Sequence, residues 1–423
     1  MEYTFSPVND FGNLASAISN LYGQAAEGQT QRFQALLRGM EETFGPRGPV
    51  AVFSAPGRTE IGGNHTDHQH GKVLAGSVNL DVIAAVAPSG DHTIRIRSEG
   101  FPMDMVDLGD LTVREEERNT SAALIRGIAA WFVQHGCPVQ GFCAYTTSNV
   151  LKGSGLSSSA AFEVLVGNII NNLFNGDKCG PIQLAQIGQY AENVYFGKPS
   201  GLLDQMASSV GGMVTIDFAD SGSPAVERVE FDFTATGHAL CIIDSGADHA
   251  DLTREYAAVT GELGAVCAYF GKTVLRQVPE SDFYGALPDL RRKAGDRALL
   301  RAIHIYEENR RVERQVAALK QGDFAAFLEQ VRLSGLSSWR MLQNVVPAGY
   351  TRHQEVALAL ALCEKLLDGR GACRVHGGGF AGTIQAFVPL DMLERFRVEM
   401  DRLLGDGACH VLTIRPVGGV RLV

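Results

Sequence analysis

Short β-rich runs and helical periodicity alternate along this chain. "PVAVFSA" (49–55), "LDVIAAVAP" and "HTIRIRS" predict strands before residue 98. Residues 119–135, "NTSAALIRGIAAWFVQH", carry apolar side chains at helical intervals behind an Asn-Thr-Ser cap, which predicts a helix. After the strand-like "VQGFCAYTTSNV" come helical patterns over 158–173 and 181–196, then a strand "GMVTIDF". The Ser, Gly and Pro of "ADSGSPAVE" (219–227) read as a connection between domains. Beyond it, "HALCIIDSG", three or four long helices and the strand-like "TIQAFVPL" and "HVLTIRPV" predict a second α+β half. No internal repeat or low-complexity segment breaks this order.

At 423 residues the chain is long for one core, so two domains are the default expectation. Hydrophobic residues at 45% and charged residues at 20% describe an ordinary globular protein with enough apolar material for two cores. A formal charge of -10 offers no basic surface for phosphate backbones or anionic lipid, so neither nucleic acid nor membrane is expected as a partner. The start, "MEYTFSPVND", lacks the basic segment and apolar core of a secretory signal, and no apolar run reaches the roughly 20 residues that span a bilayer. The expected location is the cytoplasm. The 8 cysteines are scattered without CxxC spacing and read as reduced packing residues.

Candidate chemistry concentrates in a few stretches. "GRTEIGGNHTDHQHG" (57–71) packs His65, Asp67, His68 and His70 together, and could be a metal site, a sugar-binding loop or a polar turn. No HxH or HExxH pattern lies on a regular element there, which argues against metal. In "LKGSGLSSSAAFEVL" (151–165), Gly153, Gly155 and three serines stand before a helical pattern. Glycines allow close approach, and backbone N–H groups at a helix start attract an anion, usually phosphate. The plainer reading is a serine-capped helix with a flexible lead-in. "AYFGKT" (268–273) ends like a P-loop but has Val266 where that motif needs glycine, and "GSGLSS" lacks the last glycine and the acidic partner of a dinucleotide fold. Asp204 stands beside Leu202, Leu203 and Met206, an unusual place for a carboxylate unless something buried needs it; the alternative is an Asp capping a short helix.

Taken together, "SAPGRTEIGGNHTDHQHG", "GSGLSSSAA" and "VHGGGFAGT" resemble the three ordered motifs of the GHMP kinases, and the first resembles the galactokinase signature. "AENVYFGKPSGLLDQM" (191–206) and "DHADLTREY" (248–256) agree, and the resemblance runs from about residue 30 to the C-terminus. It implies an α+β fold of the GHMP kinase type. An N-terminal domain like ribosomal protein S5 domain 2 (1–220) would precede a ferredoxin-like C-terminal domain (221–423), with the site between them. It also implies that Gly153, Ser154, Gly155, Leu156, Ser157, Ser158 and Ser159 hold the ATP phosphates, with Mg²⁺ on Ser159 and Glu192. Without the resemblance, Glu192 on an amphipathic helix reads as a solvated charge. Asp204 would accept the proton of the attacking sugar hydroxyl, with Arg58 beside it keeping it ionised but less basic. His65 and Asp67 match positions that hydrogen-bond galactose hydroxyls, and Gly201 and Tyr256 match further sugar contacts. His68 and His70 match no such role and read as loop-surface residues.

The departures bear on substrate. Asn64 stands where galactokinases carry a Glu that grips the sugar near C6, and Glu60 replaces an Asn four residues earlier. Leu151 replaces a proline, and His376 and Ala381 alter the third motif while Gly377, Gly378 and Gly379 remain. The expected activity is ATP-dependent phosphorylation of D-galactose at its anomeric hydroxyl, giving galactose 1-phosphate and ADP. The alternatives are a C1 kinase for a related sugar, such as galacturonate or arabinose, and a sugar- and ATP-binding regulator without catalysis.

Overall fold

Burial on both faces makes the first strand longer than its sequence suggests. In the computed structural model, which describes residues 11–423 apart from 23–25, 47, 152–154, 199, 221, 248–251 and 381, β1 spans Ala51–Gly62 and is buried throughout. It pairs antiparallel with β2 (Lys72–Pro88). Pro56 and Gly57 look like strand breakers, yet the register shifts between Pro56 and Arg58 and again between Glu60 and Gly62. Such irregularities absorb a proline that cannot donate and re-aim the side chains beyond it. The Gly-Arg-Thr-Glu-Ile-Gly segment is therefore strand, and only the residues after Gly62 form the loop.

The remaining strands are β3 (Thr93–Ser98), β4 (Met103–Asp107), β5 (Phe142–Ser148), β6 (Met213–Asp217), β7 (Ala225–Arg228), β8 (His238–Asp244), β9 (Ala372–Val375), β10 (Thr383–Pro389), β11 (Cys409–Leu412) and β12 (Val420–Arg421). The first sheet runs β12-β1-β2-β5-β3-β4, with β6 and β7 extending from the other half of β2. The segment 219–227 is thus only partly a connection, because β7 continues the sheet before the chain crosses over. The second sheet runs β11-β8-β10-β9, all antiparallel. Numbered within that sheet, the order is 4-1-3-2 with helices after its first and third strands, the ferredoxin-like arrangement.

Two helices, α1 (Phe11–Tyr22) and α2 (Ala26–Phe44), precede the sheet and were not legible in the pattern. The capped helix α3 (Ser121–Gln134) forms as read, with the Thr120 side chain accepting from Ala123 N. α4 (Ser158–Asn175) opens on the serine loop, whereas the pattern over 181–196 splits into α5 (Pro181–Tyr190) and a π-helical stretch, Ala191–Phe196. Short α6 (Leu203–Val210) leads into β6. The second half adds α7 (Thr253–Tyr269), α8 (Glu280–Gly285), α9 (Leu287–Ala294), α10 (Asp296–Lys320), α11 (Phe324–Ser337), α12 (Glu355–Leu367) and α13 (Leu393–Leu404).

The main apolar core joins the two halves, since Phe53, Ile128 and Val164 share it with Val312, Phe327 and Phe387. Satellite cores lie between the second sheet and α12–α13, among α7–α10, and under α1–α2. All eight cysteines are free thiols, buried except for half-buried Cys137. Among the described residues no helix is long and apolar enough to cross a membrane.

One buried charge ties the ends of the chain together. Asp81 on β2 is fully buried and meets Arg415 at 2.9 Å and Arg32 of α2 at 2.6 Å. Ser54 and Tyr22 also donate to it. Burial pushes its carboxyl up, but the two guanidinium charges and these hydroxyls win and hold it below the usual range. Removing one partner of a buried pair strands the others, at a cost of about 3–5 kcal/mol. Asp81→Ala should accordingly lower the urea midpoint by that equivalent; a midpoint like that of the wild type would show that the cluster does not hold the termini.

Candidate functional site

The loop after β1 is built against a polar seam on α10. Glu308, fully buried, accepts from Gly63 N at 3.1 Å and Asn64 N at 3.4 Å, and pairs with Arg311 at 2.6 Å. Arg311 also donates to Ser337 Oγ at 2.8 Å, which lies 2.8 Å from His304 Nδ1, while His304 Nε2 lies 3.0 Å from the Asn64 carbonyl. One consistent direction of donation follows: Arg311 to Ser337, Ser337 to His304, and neutral His304 to Asn64. Asn309 Oδ1 takes Lys72 N at 2.7 Å, fixing the far end of the loop. His65 and His70 adopt left-handed backbone within it, at φ 60 and φ 55.

Beside this loop lies a cavity of about 210 Å³ lined by Arg58, Glu60, Asn64, His65, Asp67, Gly201, Asp204, Gly377 and Gly378, with His68, Lys198, Ser200 and Leu203 completing the wall. His65 Nε2 sits 2.9 Å from the Gly378 carbonyl. Gly201 has a steric reason: a Cβ there would approach Asp67 Oδ2 to 2.5 Å. Asn64 is fully buried and Glu60 nearly so. Glu60 Oε1 meets Arg374 of β9 at 2.7 Å and Asn64 Nδ2 at 3.1 Å. Burial pushes the Glu60 carboxyl up further than the charges of Arg374 and Arg58 lower it.

At the cavity's other end stands Asp204, in the first turn of α6. Arg58 grips its Oδ1 through Nε at 2.7 Å and Nη2 at 2.6 Å, and Ser157 donates to Oδ2. Arg58 also donates to the Gly155 carbonyl. Burial raises the Asp204 carboxyl, but Arg58 and the Ser157 hydroxyl outweigh it and hold it below its ordinary value. The side chain nevertheless keeps 36% of its surface open, enough for a ligand hydroxyl to reach it.

The serine loop abuts this carboxylate. Gly155 and Ser157 take left-handed backbone at φ 69 and φ 56, and the Leu156 carbonyl accepts from Arg58 N at 3.0 Å. Ser158 and Ser159 form the first turn of α4, and among the described residues the N-cap side chain of Ser157 does not cap it, an end that attracts anions. Gly153 and Ser154 lie outside the described residues, as does Ala381 of the third glycine motif. Buried Glu192, in the π-helical stretch, meets Lys198 Nζ at 3.1 Å and Gln205 Nε2 at 2.8 Å. Gln205 also donates to buried Glu163 at 2.9 Å, whose Oε1 has no partner among the described residues. Burial, then Glu192 and Asp204, push the Glu163 carboxyl well up.

The fold therefore brings together Arg58, Asn64, His65, Asp67, Gly201 and Asp204, with the serine loop and Glu192 adjoining. Tyr256 is set apart: it does not line the cavity, and its hydroxyl donates to the Gly379 carbonyl at 2.8 Å. His68 lies on the cavity wall rather than only on the loop surface. Among the described residues no group of three or more His, Cys, Asp or Glu could hold a metal ion. Sequence reasoning missed Arg374, Lys198 and the α10 seam.

A family model of the galactokinase galactose-binding signature matches residues 41–88, and one of the GHMP kinases N-terminal domain matches residues 123–212. A galactokinase of Streptomyces coelicolor is 32% identical over 335 residues, covering 79% of this chain and 84% of its own. The chain belongs to the galactokinase family. Another relative, the galactokinase of Mannheimia succiniciproducens, is 32% identical over 364 residues, 84% of this chain and 89% of its own. The solved structure of Lactococcus lactis galactokinase complexed with galactose superposes with a TM-score of 0.77 at 26% identity, covering 92% of this chain and 99% of that one. Methanococcus jannaschii mevalonate kinase, at 12% identity, 87% and 99% coverage and a TM-score of 0.62, shares the fold. This galactokinase-family chain thus has the α+β GHMP kinase fold that its motifs implied.

The α10 seam makes the site acid-sensitive. Burial lowers His304 from 6.5 to about 4. Glu308 is raised by burial but lowered more by Arg311, His304 and Arg374, to about 2. Between pH 6.5 and 4 the unfolded chain protonates His304 while the folded chain does not, so stability falls as pH falls through that window. The loss from His304 is about 3 kcal/mol. A second loss follows from Glu308 between 4.5 and 2. Urea midpoints measured from pH 7 to 4 should decline, and His304→Gln should flatten that decline; an equally steep slope in the variant would refute a neutral, buried His304.

Proposed function

We propose that this chain is an ATP-dependent kinase that phosphorylates the anomeric hydroxyl of D-galactose, releasing galactose 1-phosphate and ADP. The observation that carries the reading is the Arg58–Asp204–Ser157 cluster, which stands where the acidic cavity meets the glycine- and serine-rich loop. Asp204 acts as the base toward the sugar hydroxyl. Arg58 holds it ionised and weakly basic, which suits a loose transition state from which the proton leaves late. Arg58 also lies ready to stabilise charge on the transferring group. Asp67 and His65 orient the sugar from the loop, and Gly201 leaves the space that Asp67 occupies.

The serine loop, residues 153–159, and the start of α4 hold the ATP phosphates. Ser159 and Glu192 would hold Mg²⁺; a hydroxyl, a carboxylate and phosphate oxygens form the hard oxygen set that this ion takes, and the orphaned Glu163 Oε1 adds oxygen nearby. When bound, the ion offsets charge on the phosphates. We place the division between the halves near residue 220, with β7 and β12 reaching back across it into the first sheet, the two motif-bearing halves facing each other across the cavity, and the enzyme in the cytoplasm.

Purified protein given ATP, Mg²⁺ and D-galactose should release ADP in a coupled assay. Asp204→Asn keeps the side chain's shape but removes the base, and should cost at least about a hundredfold in kcat. KM for galactose should stay within a few fold. Normal turnover in the variant would remove Asp204 from the mechanism, and no turnover of any sugar by the wild type would refute the kinase reading.

A further inference from the structure

The cavity contains a position where sequence comparison alone points to the wrong residue. Asn64 occupies the place expected to contact the sugar, yet its amide is spent on the protein. Nδ2 donates to the Gly377 carbonyl at 2.6 Å and to Glu60 Oε1 at 3.1 Å. Oδ1 accepts from Asn344 Nδ2 at 2.8 Å and Ser338 Oγ at 3.3 Å. A carboxamide has two donor hydrogens and two acceptor lone pairs, and all four are engaged.

Glu60 is in the opposite situation. Its Oε1 is held by Asn64 and by fully buried Arg374, whose Nη1 is itself anchored on the Ile61 carbonyl at 2.8 Å. Among the described residues no hydrogen bond reaches Oε2, and Glu60 lines the cavity. An ionised carboxylate can only accept, so whatever meets Oε2 must bring a donor. The lining cations are committed elsewhere: Arg58 to Asp204 and Lys198 to Glu192.

We infer that Glu60, not residue 64, is the carboxylate that accepts a sugar hydroxyl and turns anionic sugars away. Resting on the sugar-kinase reading above, this makes Glu60 a specificity-determining residue selecting neutral sugars over uronic acids. Asn64 and Arg374 are positioning residues that hold it. A hydroxyl supplies the missing donor, whereas a uronate supplies acceptors and a second negative charge in a confined site.

Calorimetric binding of D-galactose and D-galacturonate, to the wild type and to Glu60→Gln, tests this. The wild type should bind galacturonate at least about a hundredfold more weakly than galactose. Glu60→Gln, whose amide can donate, should narrow that ratio by about tenfold or more, mostly by weakening galactose. Glu60→Asp, which keeps the charge but withdraws the oxygen, should weaken galactose while still rejecting galacturonate, and serves if the amide variant does not fold. Comparable binding of both sugars by the wild type, or a ratio unmoved in Glu60→Gln, would overturn the inference. Coupled ADP release is read in parallel. Galactose binding without turnover would sink the kinase reading while leaving the discrimination measured.

Discussion

The geometry of the cavity depends on the burial of Glu308. A carboxylate with no exposed surface is tolerated only if every oxygen is paired, and here the partners are Arg311, Ser334 and the backbone N–H groups of Gly63 and Asn64. Satisfying the charge therefore fixes two backbone positions of a loop from the other half of the chain. His304 and Asn309, on the same helix, take the Asn64 carbonyl and Lys72 N–H. The loop cannot drift from α10 without leaving a buried charge unpaired. The second half of the chain, which supplies few lining residues, thus sets where the lining residues of the first half stand.

The same logic repeats around the site with different cations. Asp204 has Arg58 and Glu60 has Arg374, each pair joining separate elements, and Glu192 has Lys198 from the loop that follows it. Pairing sets a positive charge against each carboxylate and makes each field local; it outweighs burial at Asp204 but not at Glu60. Glu163 is the exception. Among the described residues it forms no ion pair, and burial, then the neighbouring Glu192 and Asp204, push its carboxyl well up against the weaker pull of Lys198. The site can therefore gather several acidic groups by setting a cation against most of them, and repulsion that remains falls on Glu163.

What was legible in the sequence was what is local. The Thr120 cap, the glycines and serines before α4 and the isolated Asp204 among leucines all act within a few residues, and each appears where the pattern put it. The continuation of β1 to Gly62 was hidden because Pro56 and Gly57 break strands in isolation, while β2 and the register shifts carry the strand past them. The α10 seam was hidden for another reason. Arg301, His304, Glu308, Arg311 and Gln315 resemble a solvated charged face until the loop and α11 cover them. Their recurrence at three- and four-residue intervals, beside the apolar stripe of Ala298, Ala302, Ile305 and Val312, was the available signal. A polar stripe abutting an apolar one, rather than opposite it, marks a helix buried on both.

The motifs that lie far apart along the chain are also one steric arrangement. Gly201 must lack a side chain because Asp67 lies across it, and Gly378 because the Tyr256 ring would meet a Cβ at 2.7 Å. Each glycine is thus the complement of a side chain from another motif. Substituting either glycine would push its partner aside, and removing the partner would leave the glycine with an empty space that nothing local requires. This interdependence explains why Tyr256 belongs with the site although it does not line the cavity: it packs against Gly378, whose carbonyl lies 2.9 Å from His65 Nε2. It also explains why the set of motifs was informative when each alone was weak. A glycine pair or a histidine-rich loop arises easily by itself, whereas matched pairs of a vacancy and its occupant, distributed over the whole chain, belong to a single folded site.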